Sequence, residues 1–190
     1  MTTFSTEERT GVTVLQLHSQ DGTNRLTRDV IRALTAAVEQ LQQHPRPLII
    51  TGSEKFFSAG ADLNEIAVLS SDAFDFALMG QRLMRVVDDF PAPVCAAIHG
   101  YCMGGGLDLA LACDLRVAHP HAIFGHRGAS LGMVTGWGGT QRLPRLIARG
   151  RAMQMFVAAE KLTAANALGV GLINEIADDP LARALELLRR

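Results

Sequence analysis

The stretch His99-Gly100-Tyr101-Cys102-Met103-Gly104-Gly105-Gly106-Leu107-Asp108 decides how this chain is read, together with Phe57-Ser58-Ala59-Gly60-Ala61-Asp62-Leu63 upstream. Each segment follows a short apolar run and leads into a helix-like pattern. Each therefore presents bare backbone N–H groups where a strand hands over to a helix. Two such corners facing one point would form an oxyanion hole, which stabilises negative charge developing on a carbonyl oxygen. The pair points to acyl chemistry.

Outward from these corners, strand and helix signals alternate. Gly11 to His18 carries Val12, Val14, Leu15 and Leu17 and predicts a strand. Asn24 and Thr27 precede a helical stripe of Val30, Ile31, Leu34, Val38 and Leu41, closed by His44-Pro45. Leu48-Ile49-Ile50 is a buried-strand run. A short helix is expected near Leu63 to Leu69 and a longer one from about Ser71 to Asp89, with Phe74, Leu78, Leu83, Val86 and Val87 inward.

Val94 to Ile98 predicts the next strand, and Leu107 to Ala112 an apolar helix. Leu115 to Ala118 and Ala122 to Phe124 are short strands. Helices follow at about Thr140 to Ile147 and Arg151 to Glu160, then a strand over Leu172 to Ile176 and a helix over Leu181 to Leu188. Strand-then-helix units recurring in this way argue an α/β fold with mainly parallel pairing.

Length and composition set bounds on function. The 190 residues are most simply one domain, and a 48% hydrophobic fraction supports a substantial core. A net charge of −1 gives no push toward nucleic acid or an anionic membrane. No run approaches the roughly 18 apolar residues of a membrane span, and the polar start Met1 to Arg9 lacks the pattern of a leader. Cys95, Cys102 and Cys113 lie in apolar surroundings without CxxC spacing, as buried reduced thiols would. A cytoplasmic protein is expected.

The motifs taken together resemble the crotonase family, the enoyl-CoA hydratases and isomerases. Ser58-Ala59-Gly60-Ala61-Asp62 after a strand is followed by Ala96-Ala97-Ile98-His99-Gly100 leading to Gly104-Gly105-Gly106. Leu111-Ala112-Cys113-Asp114-Leu115-Arg116, then Gly138-Gly139-Thr140-Gln141-Arg142-Leu143-Pro144-Arg145, then Ala164 to Gly169 and Leu172-Ile173 complete the order. The resemblance covers nearly the whole chain. It implies a spiral of ββα turns, about residues 1–175, with residues 176–190 as the start of a C-terminal helical region that is largely missing. It also implies assembly as a homotrimer or hexamer, and an acyl-CoA thioester as substrate with no separate cofactor.

By motif position the resemblance implies that the N–H groups of Ala61 and Gly105 bind the thioester oxygen. Ser58, Ala59, Gly60, Asp62, Leu63 and Gly104 would border the coenzyme A portion. Small residues let a ligand approach closely, and a helix beginning near Gly105 points its positive end at the oxyanion. Hydratases of this family use two glutamates to position water and deliver a proton to the α-carbon. The first position falls on Asp108, one methylene shorter. The second falls on Gly128, and no carboxylate occurs between Asp114 and Glu160.

Three outcomes follow from that departure. Asp108 acts alone, as suits isomerisation or protonation of an enolate after decarboxylation; or His126 or Arg127 replaces the lost acid; or acyl-CoA binding survives without turnover, in an assembly subunit. Hydration or isomerisation of an enoyl-CoA is the leading expectation. Asp108 is also readable as an ordinary aspartate complementing a helix dipole, and His126 as a packed histidine. With the C-terminal region short, reduced cover over the acyl group is expected.

Other motifs carry less. Gly128-Ala129-Ser130-Leu131-Gly132 matches G-x-S-x-G, but no histidine follows it as a nucleophile elbow requires. His119, His121 and His126 are close in sequence without a carboxylate or cysteine near them, so no metal is expected. Neither glycine cluster fits a dinucleotide or P-loop fingerprint. Met153, Met155 and Phe156 are expected in the core or a subunit interface.

Overall fold

The computed structural model describes residues 3–67 and 72–189. β1 (Phe4–Arg9) and β2 (Val12–Leu17) form an antiparallel hairpin, turned by Thr10 and Gly11 at positive φ. The chain then passes through β3 (Arg25–Leu26) into α1 (Arg28–Leu41). The Val30 N–H donates to Thr27 Oγ1, so the expected threonine caps this helix.

From there one pattern repeats. β4 (Leu48–Thr51) joins β2 in parallel, and β5 (Phe56–Ser58) and β6 (Gly60–Ala61) lead to α2 (Leu63–Ala67) and α3 (Ala73–Asp88). β7 (Val94–Ile98), β8 (Tyr101–Met103) and α4 (Gly105–Leu111) make the next turn. β9 (Leu115–Ala118), β10 (Ile123–Gly125) and α5 (Gly139–Ile147) make another, followed by α6 (Arg149–Val157). β11 (Lys161–Thr163), α7 (Ala164–Gly169), β12 (Glu175–Ile176) and α8 (Pro180–Leu188) complete the chain.

In each turn the first strand enters a six-stranded sheet of order β1-β2-β4-β7-β9-β12. A later strand enters a smaller sheet, β11-β10-β8-β5, or the β3-β6 pair. All pairs in the large sheet except β1-β2 are parallel. This is the expected crotonase-like spiral of ββα repeats.

Alternation along the strands sorts the core onto two faces. Leu15, Leu17, Leu48, Ile50, Ala96 and Ile98 face α1, α3 and α4, whereas Val12, Val14, Ile49, Cys95, Ala97 and Val117 face α8. The terminal helix thus seals the back of the sheet through Ala184, Leu185 and Leu188. Cys95, Cys102 and Cys113 are free and buried, and burial pushes the Cys95 thiol up to about 12.

Several expectations are corrected. Phe74 is 71% exposed and Leu78 is also exposed; the buried stripe of α3 is Phe76, Gly80, Leu83, Met84 and Val87. The expectation holds at Leu83, Val86 and Val87 and fails in the first turns, where Gly80 lies against the Trp137 ring. The expected helix limits at Leu69 and Ser71 lie outside the described residues. Leu172 and Ile173 are buried but precede β12, because the Leu172 N–H turns back to close α7 on Ala167 O at 2.8 Å. Of the residues expected in the core or a subunit interface, Met155 is in the core and Met153 is half exposed, which does not contradict that expectation.

Candidate functional site

β5 and β8 are parallel neighbours, with Ser58 opposite Cys102. The two glycine corners therefore leave the same end of adjacent strands and meet. Gly60 adopts φ +90°, and a Cβ there would stand 2.6 Å from Met103 O and 2.9 Å from the Gly105 nitrogen. Only glycine permits that approach. Ala61 follows, paired with Leu26 of β3. Gly104 at φ +52° donates its N–H to Gly125 O at 2.9 Å and opens α4 at Gly105.

Buried polar groups fix the first corner. Ser58 Oγ donates to Asn24 O at 2.7 Å and accepts from the Gly60 N–H at 3.1 Å. Asn24 Nδ2 donates to Phe56 O and Phe57 O. The Ala59 N–H donates to Thr23 O. Asp62 Oδ1 accepts the Asn64 N–H at 2.7 Å at the start of α2, and Leu63 beside it is half exposed. Thus the Ser58 hydroxyl shapes the loop, while Leu63 faces outward.

Asp108 lies one helical turn beyond Gly105, on the same face of α4, and is fully buried. Thr135 Oγ1 donates to its Oδ2. Its Oδ1 lies 3.4 Å from His126 Nε2, and neither atom has a hydrogen-bond partner among the described residues. Burial pushes the Asp108 carboxyl up from 3.8 to about 7, against the pull of the Thr135 hydroxyl, Arg142 and the Gly139 N–H. Burial pushes His126 down from 6.5 to about 4.

The 3.4 Å contact alone would suggest a salt bridge. Both groups instead shift toward their neutral forms, and the unpartnered atoms show that the geometry is not that of a hydrogen bond. Near pH 7 the imidazole is uncharged and the carboxyl stands at its titration midpoint, so the two form no ion pair.

α5 approaches this pair end-on. A Cβ on Gly139 would fall on Asp108 Oδ1 and stand 3.1 Å from His126 Nε2, so the positive end of α5 is aimed at the carboxyl. Gly128 begins a short 3₁₀ turn over Gly128–Leu131, closed by the Met133 N–H on Gly128 O at 2.8 Å. A Cβ on Gly128 would stand 2.6 Å from Met133 O. The local backbone has no room for a side chain where the second acid was expected.

The structure adds Thr135 and Trp137 to the residues singled out from sequence, and it brings Gly139, quoted there only as part of a motif, against Asp108. The histidines separate: His119 stacks on His99 at 5.3 Å and lies 5.2 Å from His121, while the His126 ring is 5.1 Å from Phe156. No cluster of three or more metal-ligating side chains occurs among the described residues. An apolar recess of about 610 Å³ is bordered by Met133, Val134, Met153, Phe156 and Val157, with Arg149 at its edge, and adjoins His126 through Phe156.

A ββα spiral that brings two glycine corners against one helix start, with a buried carboxyl one turn on, defines a crotonase-fold protein. Comparison with known proteins agrees. A family model described as enoyl-CoA hydratase/isomerase matches residues 7–189. A crotonyl-CoA hydratase of Syntrophomonas wolfei is 38% identical over 174 residues, 90% of this chain and 67% of that protein. A short-chain-enoyl-CoA hydratase of Clostridium acetobutylicum is 33% identical over 176 residues, again 90% of this chain and 67% of that protein.

Among solved structures, an enoyl-CoA hydratase from Bacillus anthracis matches with a TM-score of 0.93 at 33% identity, covering 98% of this chain and 75% of that one. The chain belongs to the enoyl-CoA hydratase/isomerase family. It spans about two thirds of the length of these curated relatives.

Proposed function

We propose that this chain is an acyl-CoA enzyme that hydrates or isomerises an enoyl-CoA thioester. The N–H groups of Ala61 and Gly105 hold the thioester oxygen, and Asp108 moves the proton with His126 beside it. The Ser58 to Leu63 loop and Gly104 border the coenzyme A portion. The observation that carries this reading is the unpartnered pair, Asp108 Oδ1 and His126 Nε2, on the face of α4 that begins at Gly105.

The chemistry follows from those positions. An enolate forming on the thioester places negative charge on its oxygen, where two backbone donors act; losing one donor of this kind costs about 2.7–4 kcal/mol of transition-state stabilisation. A carboxyl titrating near 7 can both accept and return a proton at neutral pH. In isomerisation Asp108 takes the proton from one carbon and returns it two carbons away. In hydration the water oxygen bonds to the β-carbon as Asp108 takes one water proton, and Asp108 then returns that proton to the α-carbon.

A second reading is favoured by one observation. The closed backbone around Gly128 leaves the site with one carboxylate, which suits a decarboxylase of the same family or an acyl-CoA-binding subunit without turnover. Assembly as a trimer or hexamer and a cytoplasmic location belong to the proposal. None of the described helices is long and apolar enough to cross a membrane.

Asp108→Asn tests the assignment. Crotonyl-CoA, a β,γ-enoyl-CoA and a malonyl-type ester are offered to both proteins. A loss of about 100-fold or more with the best substrate supports Asp108 as the acid–base group. An unchanged rate removes Asp108 from the chemistry. Binding of CoA esters with no turnover of any establishes the binding subunit.

A further inference from the structure

Trp137 is nearly fully buried and sits in a seat made by two glycines. A Cβ on Gly105 would fall on one edge of the indole, and a Cβ on Gly80 of α3 would fall on the other. A glycine inside a helix costs about 1 kcal/mol relative to alanine, and α3 carries one where the ring enters. Phe76 closes the seat edge-on, with ring centroids 5.4 Å apart at 62°. Gln81 Nε2 donates to Gly136 O at 2.8 Å and pins the backbone just before the ring. The indole is a fixed wedge between α3 and α4.

The wedge also lies across the face of α4 that the proposed chemistry uses. Gly105 and Asp108 share that face. The residues two before and two after Trp137 both reach Asp108: Thr135 through its hydroxyl, Gly139 through its close backbone. The indole edge packs directly on Gly105, so the ring stands beside a thioester held at the Gly105 N–H and takes up the space between that point and α3. The apolar recess of about 610 Å³ adjoins the His126 side of the pair through Phe156 and is bordered by none of Gly60, Ala61, Gly105 or Trp137.

We infer that Trp137 is a specificity-determining residue that restricts this site to short acyl chains by filling the space on the α3 side of Gly105. The inference rests on the acyl-CoA reading above. It requires no new chemistry, only that a longer chain and the indole compete for one volume. Discrimination of about 10–200-fold per excluded methylene is the scale a rigid apolar wall achieves.

Trp137 is the only tryptophan in the chain, so its fluorescence reports directly on what approaches it. Wild type, Trp137→Ala and Trp137→Phe, each checked for native circular dichroism, are compared with butyryl- and octanoyl-CoA in binding. The corresponding four- and eight-carbon enoyl-CoA esters are used for turnover. Wild type is expected to change fluorescence with butyryl-CoA and to favour the short ester by about tenfold or more. Trp137→Ala should raise the ratio of long to short ester in kcat/KM, or in affinity measured by calorimetry, by at least about tenfold, with Trp137→Phe between.

Equal handling of both lengths by wild type, or an unchanged ratio in folded Trp137→Ala, overturns the inference while leaving the acyl-CoA reading intact. If Trp137→Ala does not fold, the wild-type preference and the Trp137→Phe ratio decide by the same criteria. Failure of wild type to bind either ester overturns the acyl-CoA reading and this inference with it.

Discussion

Asp108 Oδ1 and His126 Nε2 stand 3.4 Å apart in the interior with no other hydrogen-bond partner among the described residues, and burial moves both groups toward neutrality. Their effects on stability oppose each other. The Asp108 carboxyl is raised from 3.8 to about 7, so the folded protein holds this proton more tightly than the unfolded chain does. Its contribution to stability is present below 3.8 and is lost as pH rises through about 7. His126 is lowered from 6.5 to about 4, so its contribution is present above 6.5 and is lost as pH falls through about 4.

The two substitutions Asp108→Asn and His126→Gln separate these contributions. The melting temperature of Asp108→Asn, measured against wild type, should climb as pH rises from 3.8 to about 7 and level off beyond. The full span is on the order of 4 kcal/mol. His126→Gln should gain on wild type in the other direction, as pH falls below 6.5. Differences that stay flat across both windows would mean that neither group titrates differently on folding.

Thr135 holds the other carboxyl oxygen. Thr135→Val keeps the shape and deletes the donor, which raises the Asp108 pKa further, because the hydroxyl lowers it. The expected result is an ascending limb of the kcat/KM profile moved to higher pH, with a stability loss of about 1–3 kcal/mol. Thr135→Ser should restore the wild-type profile. A stability loss with an unmoved profile would reduce Thr135 to a packing role.

Gly139→Ala tests the end-on approach of α5. The added methyl lands on Asp108 Oδ1, a fully buried atom with nowhere to retreat. Overpacking of this kind costs about 1–3 kcal/mol, and here it also displaces the carboxyl. Activity is expected to fall by about tenfold or more while urea unfolding stays two-state. Wild-type activity in a destabilised Gly139→Ala protein would place the reacting groups elsewhere.

The spiral was legible because its main strands are short, apolar and regularly spaced; Leu48–Thr51 and Val94–Ile98 lie close to where their patterns put them. Phe4–Arg9 escaped notice because it is an edge strand whose Ser, Thr, Glu and Arg side chains are exposed. Lys161–Thr163 is three residues long and pairs at a sheet margin. Phe74 misled because aromatic bulk suggests burial, whereas the helix turns Gly80 inward to receive Trp137. At the site, the glycine corners were visible as motifs. Thr135 was not, since a threonine in a glycine-rich loop has no local periodicity to mark it, and its link to Asp108 spans 27 residues.

Arg116 ties the turns of the spiral together beneath the site. It is buried, and its Nε donates to Leu172 O at 2.8 Å, Nη1 to Cys113 O at 2.6 Å and Ala110 O at 3.3 Å, and Nη2 to Asp114 O at 3.3 Å. These carbonyls belong to the end of α4 and to the link between α7 and β12, so one side chain locks the helix carrying Gly105 and Asp108 against the following turns. Arg116→Met keeps much of the packing but strands several carbonyls. The expected cost is about 3 kcal/mol or more, read as a lower urea midpoint with an unchanged m value. Arg116→Lys should recover less than half of that, because a single ammonium cannot reach the carbonyls served by the guanidinium fork. Full recovery by lysine would show that the buried charge, not the fork, holds the turns together.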